Sequence, residues 1–452
     1  MAGASWPLGR RLKFLYIKMS KSYLTEPIFY LDDVLQFSYN RWKEDYLKIS
    51  SNPGVNLNSS GQIKFELNNA QHYISLSESF LVGEFSITKA DDSALGNDDI
   101  TLENNFFFRM FSGIRIEVGG REVENIAQAV GEASTLANFI MMPAEFKRTY
   151  GLVSGWCPDT NKGDNDVDNT ANDANQGYYF RKKFYNTKKT FSMIFPLKSV
   201  FGFTEYTKIL TNIKIGLILT RKDNSVIMPD IFYGATANPA LTAKLVTHNL
   251  AFWVPYIEPS LEIEELVTKR LNTNKPINML FMKRSMNEIT IPAGATQTWR
   301  IGNYANSVRF VIVGFKTTVA PSEQTNNALF TEHVGGNKIS SLRMQLNNKF
   351  YPIDEMKMEF DAYKVHEPYQ AYVNMCHTFG VEPQISIQEF IDLHAVFCFD
   401  LSAQPETLKA NGIDITLHIK KSSALTLQGF ALVLEDAHYQ LEVADGRILR
   451  LA

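Results

Sequence analysis

Residues 112–121 read Ser112-Gly113-Ile114-Arg115-Ile116-Glu117-Val118-Gly119-Gly120-Arg121, and residues 340–349 read Ser340-Ser341-Leu342-Arg343-Met344-Gln345-Leu346-Asn347-Asn348-Lys349. The two stretches align without a gap at an offset of 228 residues, residue 112 against residue 340. In each copy, apolar and polar residues alternate, which places the apolar side chains on one face of a strand. Each strand runs into a Gly-Gly or Asn-Asn pair, and both pairs tolerate the positive φ of a tight hairpin turn. The sequence therefore predicts one hairpin built twice.

A second repeat supports the first. Residues 213–219, Ile-Lys-Ile-Gly-Leu-Ile-Leu, correspond at an offset of 200 to residues 413–419, Ile-Asp-Ile-Thr-Leu-His-Ile. The offset is smaller than at the hairpin, so the first half carries extra residues between the two repeats. Residues 159–177, rich in Asp, Asn, Gly and Thr, account for them and have the composition of a loop. We expect this loop to be exposed and mobile, because it has little apolar surface to bury.

The order of the elements between the repeats is also shared. A helix-like stretch follows each hairpin, at residues 125–148 and at residues 354–379. Another strand follows each helix, at residues 190–197 and at residues 395–401. The chain therefore consists of two halves with a common plan.

Length and composition limit the class of protein. A chain of 452 residues is long enough for two domains. Its 31 Phe and 19 Tyr favour sheets with thick cores. A net charge of −3 gives no indication of a nucleic-acid-binding body, and three cysteines do not make a disulfide framework. The chain also has no apolar run of about eighteen residues that would span a membrane.

The first eighteen residues contain Arg10, Arg11, Lys13 and Lys18 and no acidic residue. One interpretation is a basic arm that touches nucleic acid. The other is a disordered tail, or an upstream extension with Met19 as the natural start. We favour the second, because so few charges contribute little affinity for nucleic acid.

Apolar runs bounded by Gly, Pro, Asn and Asp predict an all-β chain. The predicted strands cover residues 62–67, 72–76, 80–88, 114–118, 190–197, 208–219 and 245–256 in the first half, and residues 286–291, 298–301, 308–315, 342–346, 395–401, 413–420 and 425–435 in the second. Residues 42–47 fit a short helix ahead of them.

Eight antiparallel strands that close two sheets on each other form a jelly roll. We therefore expect an all-β tandem double jelly roll, meaning two eight-stranded β-sandwiches with short helical insertions. The expected divisions are an N-terminal arm at residues 1–54, a first jelly roll at 55–260 that carries the loop 159–177, a linker at 261–277, and a second jelly roll with a C-terminal tail at 278–452. Immunoglobulin-like domains are the main structural rival, but they are about half as long.

Catalytic motifs are missing from the sequence. It has no P-loop, no Gly-x-Ser-x-Gly elbow and no His-Glu-x-x-His, and none of its eight histidines forms the His-x-His pair expected of a two-domain cupin. The Cys376-His377 pair with His394 and Cys398 is the one Cys/His cluster, and its spacing favours core packing over a zinc site. We predict no catalytic, cofactor-binding or metal-binding residues, and no enzymatic activity.

Three acidic residues inside the polar loop, Asp164, Asp166 and Asp168, resemble the start of a calcium loop. An EF-hand loop needs Gly at its sixth position and Glu at its twelfth, where this chain has Asn169 and Asn175. A solvated loop is the better interpretation, and weak calcium binding stays open.

Two further features allow a functional or a structural interpretation. Arg115 and Arg343 recur at equivalent positions, and we expect each to be an outward strand residue paired with a neighbouring carboxylate rather than a phosphate or partner contact. The run Phe106-Phe107-Phe108 is predicted to be a strand whose aromatics face both ways. One of those faces would need a cover from the other domain or another subunit.

The tandem domains, the paired hairpins and the helix after each hairpin resemble the double jelly-roll major capsid proteins, in particular those of Polinton (Maverick) elements and adintovirus-like viruses in the adenovirus-type lineage. Residues 135–159, ending Gly155-Trp156-Cys157-Pro158-Asp159, are similar to the helix and following loop of that group. The resemblance covers about residues 62–443. The family often has Val-Asn-Gly at the hairpin, whereas this chain keeps the turn chemistry with Gly119-Gly120 and Asn347-Asn348.

The resemblance implies a shell-forming protein in the virion, assembled inside the host cell. Three subunits would form a homotrimeric capsomer with a pseudo-hexagonal outline, and neighbouring capsomers would tile an icosahedral shell around packaged double-stranded DNA. Penton and minor capsid proteins would be further partners, with no small-molecule substrate and no cofactor. A host protein derived from such a capsid gene is also open. The alternative from another class is a two-domain β-sandwich protein that binds carbohydrate or processes glycans, although no carboxylate pair indicates such an enzyme.

Overall fold

The computed structural model describes residues 41–69, 73–89, 91–95, 100–160, 175–186, 190–223, 231–234, 243–304, 307–317, 339–405, 412–422, 424, 426–442 and 446–451. The basic N-terminal segment and the three aspartates of the proposed calcium loop lie outside these residues. Within the described chain, no helix is long and apolar enough to cross a membrane.

Strands dominate the described elements. They are β1 (Arg41–Ser50), β2 (Gly61–Asn69), β3 (Tyr73–Ile74), β4 (Phe80–Lys89), β5 (Ile100–Leu102), β6 (Phe111–Val118), β7 (Arg121–Ile126), β8 (Phe191–Pro196), β9 (Ile213–Arg221), β10 (Phe232–Gly234), β11 (Ala243–Pro259), β12 (Ile277–Ile291), β13 (Thr296–Tyr304), β14 (Val308–Thr317), β15 (Ile339–Leu346), β16 (Lys349–Lys357), β17 (Phe397–Asp400), β18 (Ile413–Lys421), β19 (Leu427–Glu442) and β20 (Arg447–Leu451). The helices are α1 (Phe106–Arg109), α2 (Val130–Met141), α3 (Phe146–Thr149), α4 (Gln176–Tyr185), α5 (Leu261–Asn272), α6 (His366–Thr378) and α7 (Ile387–Asp392), with short 3-10 turns at Leu152–Ser154, Leu197–Ser199, Gly202–Glu205 and Phe360–Ala362.

Four larger sheets form two sandwiches with the same plan. The first half contains sheets of order β1-β11-β4-β8 and β2-β9-β6-β7, and the second half contains β12-β19-β14-β17 and β13-β18-β15-β16. Short strands extend this frame, since β3 pairs with β11, β20 pairs with β19, and β10 pairs with β5. Corresponding strands occupy corresponding places in both halves. The all-β tandem double jelly roll is therefore confirmed.

The strand register shows that the sequence repeats are structural repeats. In the first jelly roll, Ile116 of β6 lies opposite Leu217 of β9. In the second, Met344 of β15 lies opposite Leu417 of β18. These are the positions that the offsets of 228 and 200 match. The predicted equivalence of the two hairpin strands and of the two later strands is confirmed.

The two hairpin turns have the expected backbone. Gly119 and Gly120 have φ of 61° and 76°, and Asn347 has φ of 51°. All three values lie in the left-handed region that Gly and Asn tolerate best. A side chain at Gly119 would also meet the carbonyl oxygen of Gly446, 2.4 Å from the ideal Cβ position. Each turn thus requires the residue types found there.

Two secondary-structure predictions were wrong. Residues 42–47, expected to be helical, belong to strand β1. Phe106, Phe107 and Phe108 form helix α1 rather than a strand, and all three side chains are buried. Their rings pack in the core, where Phe107 stacks on Phe195 with centroids 3.7 Å apart. No aromatic face at this place needs a cover from another subunit.

The helices predicted after the hairpins and the predicted linker segment can also be compared with the structure. The helices expected after the hairpins are α2 with α3 in the first half and α6 in the second. The segment expected as a linker contains α5, none of whose residues is buried. Its residues belong, with residues 41–45, to a small unit separate from the body that comprises residues 46–256 and 274–452 and contains both jelly rolls.

Candidate functional site

The two jelly rolls meet at a buried joint built around Glu124 of β7. Its carboxylate accepts hydrogen bonds from the backbone N–H groups of Gly202, Phe203 and Arg284, at 3.0, 2.8 and 2.7 Å. Arg284 lies on β12 in the second jelly roll, so the carboxylate links the two halves. Burial raises the pKa of Glu124 to about 7, although the Arg284 charge and the three N–H groups act in the opposite direction.

The Arg284 side chain extends the joint. Its guanidinium is 2% exposed and donates to the Lys198 carbonyl at 2.8 Å and to Glu205 at 3.0 Å, both in the first jelly roll. The backbone at Gly202 approaches β12 so closely that an added Cβ would lie 1.7 Å from the Met282 carbonyl oxygen. Side chains larger than glycine are therefore incompatible with this joint as it is packed.

A second polar contact between the jelly rolls centres on Gln384. Its side-chain oxygen accepts a hydrogen bond from Trp156 Nε1 at 3.0 Å. Its side-chain nitrogen donates to the carbonyls of Asn138 and Met142 at 2.7 and 2.6 Å. Gln384 is buried, and one hydrophobic core runs through both jelly rolls. Separating the halves would leave these buried groups without partners.

The helical insertion of the first jelly roll also buries charge. Arg109 donates to Glu132 of α2 at 2.7 Å, and both side chains are at most 9% exposed. Burial acts to raise the pKa of Glu132, but the charges of Arg109, Lys316 and Lys222 outweigh it and lower the pKa to about 2. Lys316 belongs to β14, so this cluster too is shared between the halves.

The ends of the polar loop are buried, which corrects the prediction that residues 159–177 are exposed throughout. Arg181 of α4 is fully buried and donates to Asp159 at 2.8 Å and to the Leu102 carbonyl at 2.9 Å. The Asn175 side-chain nitrogen donates a hydrogen bond to Asp159 at 3.1 Å. Its side-chain oxygen accepts one from the Tyr178 N–H and so caps α4. Residues 161–174 lie outside the described chain. The loop is therefore anchored at both ends by a buried ion pair.

The predicted Cys/His cluster consists of core and surface residues. Cys376 and Cys398 are buried, as the core interpretation predicted, and burial raises the pKa of the Cys376 thiol to about 11. His377 is exposed, whereas His394 is buried with Nε2 at 3.1 Å from the Asp159 carbonyl oxygen. Across the described residues, no group of three or more His, Cys, Asp or Glu side chains could hold a metal ion.

The two repeated arginines differ in their surroundings. Arg115 Nε lies 3.2 Å from Glu117 Oε1, an ion pair that confirms the expected carboxylate partner. Arg343 has no such ion pair among the described residues. Its guanidinium carbon lies 3.9 Å from the ring centroid of Phe350, and it donates a hydrogen bond to the Ile353 carbonyl. The expectation of a carboxylate partner was therefore wrong for Arg343.

An aromatic patch lies on the outer face of the sheet that contains β1, β4 and β11. It consists of Tyr46, Phe80 and Trp253. Phe80 and Trp253 are cross-strand partners with stacked rings, 6.1 Å between centroids. Tyr46 packs beside them, 5.2 Å from Phe80, and is 41% exposed. Large aromatic side chains left partly open to solvent are typical of protein interfaces.

Sequence reasoning missed the residues of the joint. No local sequence motif marks Glu124, Arg284 or Gln384 as a contact residue. The partners named above lie 78 to 246 positions away along the chain. A Glu on a strand with alternating apolar and polar residues is expected on the outer face of the sheet. Nothing in the local pattern distinguishes such a residue from an outward one.

Comparisons with known proteins agree with this architecture. A family model described as a double jelly roll-like domain matches residues 100–437. A chain of the Sputnik virophage structure is similar at a TM-score of 0.63 and 11% identity, over 95% of this chain and 92% of that one. The mavirus major capsid protein matches at 0.59 and 11%, over 100% and 95%, and the Faustovirus major capsid protein at 0.53 and 11%, over 98% and 98%. No curated protein sequence matches the chain.

Proposed function

Because the chain belongs to the double jelly roll-like domain family, we propose that it is a major capsid protein of an icosahedral double-stranded DNA virus or virus-like element. The observation that carries this proposal is the likeness over nearly the whole chain to proteins whose names identify them as viral major capsid proteins. The role is structural rather than enzymatic. The Polinton and adintovirus-like group remains our proposed lineage, and the virion its proposed location.

The joint between the jelly rolls supports a role in building a shell. A subunit that tiles a surface must hold its contact faces at a fixed angle. The buried hydrogen bonds of Glu124 and Gln384 fix the first jelly roll against the second. We take the two jelly rolls to be residues 55–260 and 278–452, joined by a linker at 261–277, with the arm at residues 1–54 supplying strand β1 to the first jelly roll.

The capsomer is proposed to be a homotrimer. Three subunits with two jelly rolls each give a ring with six similar corners, which is the pseudo-hexagonal outline. Such a ring closes by heterologous contacts, in which different faces of neighbouring subunits meet. The aromatic patch of Tyr46, Phe80 and Trp253 is a suitable surface for that contact. Neighbouring capsomers, penton and minor capsid proteins and the packaged DNA are the further proposed partners.

Light scattering coupled to size exclusion tests the proposal. We expect a particle of about three times the 51.3 kDa chain mass, and hexagonal arrays or shells in negative-stain electron microscopy. A chain that stays monomeric at micromolar concentration and forms no particles would overturn the capsid function.

A pair of variants tests the contact surface separately. Trp253→Arg places a charge in the aromatic patch and should shift the mass toward the monomer. Ile387→Arg alters an exposed apolar residue on α7, which is 48% exposed and outside the patch, and should leave the mass unchanged. If both variants remain trimeric, the trimer contact lies elsewhere.

A further inference from the structure

The outer face of the second jelly roll carries a groove. It has a volume of about 170 Å³ and lies across all four strands of the sheet β13-β18-β15-β16. The residues that line it are Thr296, Ser341, Arg343, Phe350, Glu355, His418, Ile419 and Lys420. Drug-sized ligands occupy larger pockets, so this groove suits a smaller group.

The groove arises where β16 departs from its partner strand. Leu342 pairs with Met356, but Met344, two residues on, pairs with Tyr351. Four residues of β16 therefore lie opposite the single residue Arg343. The Arg343 guanidinium covers the ring of Phe350 at 3.9 Å and donates to the Ile353 carbonyl inside this bulge. A bulge of this kind redirects side chains and opens the surface of a sheet.

The sequence repeat allows the charged neighbours of Arg343 to be compared with those of its counterpart Arg115. Glu117, the ion-pair partner of Arg115, has Gln345 as its counterpart, and Ile218 has His418. Gln345 cannot neutralise Arg343. Its side-chain oxygen instead accepts a hydrogen bond from His418 Nε2 at 2.7 Å. The second jelly roll has thus exchanged a neutralising carboxylate for a neutral amide beside the same arginine.

Among the described residues, no carboxylate forms an ion pair with Arg343. Lys420 is neutralised by Glu355, which it reaches at 2.6 Å. The hydrogen bonds from Lys420 and from Ser341 hold the pKa of Glu355 below its usual value, so this carboxylate is ionised. Arg343 donates one hydrogen bond to another described residue, at Ile353, and therefore keeps donors for a ligand. Guanidinium groups bind carboxylates and sulfates through such paired donors.

We propose that this groove binds a single acidic sugar residue, with its carboxylate or sulfate facing Arg343. A pyranose ring is small enough for the groove, and its hydroxyls would find both donors and acceptors in Thr296, Lys420 and Glu355. A bare inorganic anion would contact Arg343 but would leave the rest of the groove empty. The site is separate from the aromatic patch and does not depend on the trimer.

Saturation-transfer NMR on the purified full-length chain tests the site. The probes are the methyl glycosides of N-acetylneuraminic acid and of glucuronic acid, a sulfated monosaccharide, and the neutral methyl galactoside. We expect transfer to at least one acidic sugar and none to the neutral one. Equal transfer to neutral and acidic sugars, or no transfer to any, would overturn the proposal. Displacement of the acidic sugar by inorganic sulfate of equal affinity would reduce the site to one for an adventitious ion only.

A matched pair of variants assigns the binding to the groove. Gln345→Glu restores the carboxylate found in the first jelly roll and should weaken acidic-sugar binding by about tenfold or more, because Arg343 is then neutralised. Glu117→Gln makes the reverse change beside Arg115 and should leave binding unchanged. Both changes are nearly isosteric, and equal thermal midpoints would show that folding is intact. Undiminished binding in Gln345→Glu would contradict the assignment.

Discussion

The two jelly rolls share a frame and differ in where they place charge. Strand order corresponds throughout the β2-β9-β6-β7 and β13-β18-β15-β16 sheets, and the register corresponds where β6 pairs with β9 and β15 pairs with β18. The first jelly roll encloses ion pairs around its helical insertion, at Arg109–Glu132 and Arg181–Asp159. The second has ion pairs close to solvent, such as Arg300–Asp414, whose side chains are 66% and 39% exposed. The two jelly rolls therefore share the same alternation of buried apolar residues, while their other positions carry different charged residues.

The difference has a physical reason. The inner faces of both sandwiches must be apolar. The repeated strands of the two halves therefore both have apolar residues at the positions that face the core. Insertions after the hairpin are free of that constraint. In the first jelly roll the insertion packs against the second jelly roll, and its polar groups must find partners inside the protein. The ion pair Arg109–Glu132 is buried in that contact, whereas Arg300–Asp414 lies on a sheet surface and stays partly exposed.

The largest expected effect comes from the buried ion pair of the first jelly roll. Arg181→Met leaves Asp159 buried without its counter-charge and should lower the free energy of unfolding by about 3–5 kcal/mol. The matched change in the second jelly roll, Arg300→Met, removes an exposed partner of Asp414 and should cost less than about 1 kcal/mol. Chemical denaturation of both variants measures the contrast. Equal effects would mean that burial does not distinguish the two pairs.

The contact between the jelly rolls should come next. Gln384→Leu keeps the volume of the side chain but leaves Trp156 Nε1 and two carbonyls without partners. We expect a loss of about 2–4 kcal/mol in the free energy of unfolding. Gln388→Leu, on the exposed face of α7, is the control and should change stability little. Chemical denaturation of both variants measures the difference, and equal losses of stability would argue against the buried contact.

The buried Glu132 of the first jelly roll should also make the stability of the protein depend on pH. The folded-state pKa of Glu132, about 2, lies below its ordinary value of 4.5, so the folded protein holds this proton less tightly than the unfolded chain. Its contribution is complete above about pH 4.5 and is lost as the pH falls toward 2, to a total of about 3 kcal/mol. Denaturation midpoints between pH 5 and pH 3 should fall less steeply in Glu132→Gln than in the natural chain. Parallel slopes would contradict the assignment.

The smallest effect is expected at the hairpin turns. A Gly119→Val, Gly120→Val double variant forces β-branched residues to positive φ and should cost about 1–3 kcal/mol. The reciprocal test in the second jelly roll, Asn348→Gly, keeps a permissive turn and the Asn347 side chain, which accepts a hydrogen bond from the Asp414 N–H, and should leave the thermal midpoint nearly unchanged. A midpoint unaffected by the valine pair would argue against the turn geometry in solution.

Much of the fold could be predicted because the relevant signals are local. Period-two alternation identifies a strand and its buried face, and the Gly-Gly and Asn-Asn pairs identify the turns. The repeat then shows that the same set of strands is built twice. Even the register could be inferred, because a slip of one residue would turn Ile116 or Met344 away from the core. The candidate site could not be predicted in the same way, since its residues belong to different halves.

The sequence by itself determined the tandem all-β plan, the paired hairpins and the core face of each repeated strand. Only the tertiary structure decided that Glu124 points into a joint and that Phe106–Phe108 form a buried helix. It also decided that Arg343 lies on Phe350 while its counterpart Arg115 pairs with a carboxylate. The physical reason is range. Alternation and turn chemistry act between neighbours in sequence, whereas burial and ion pairing depend on which distant elements the fold brings together.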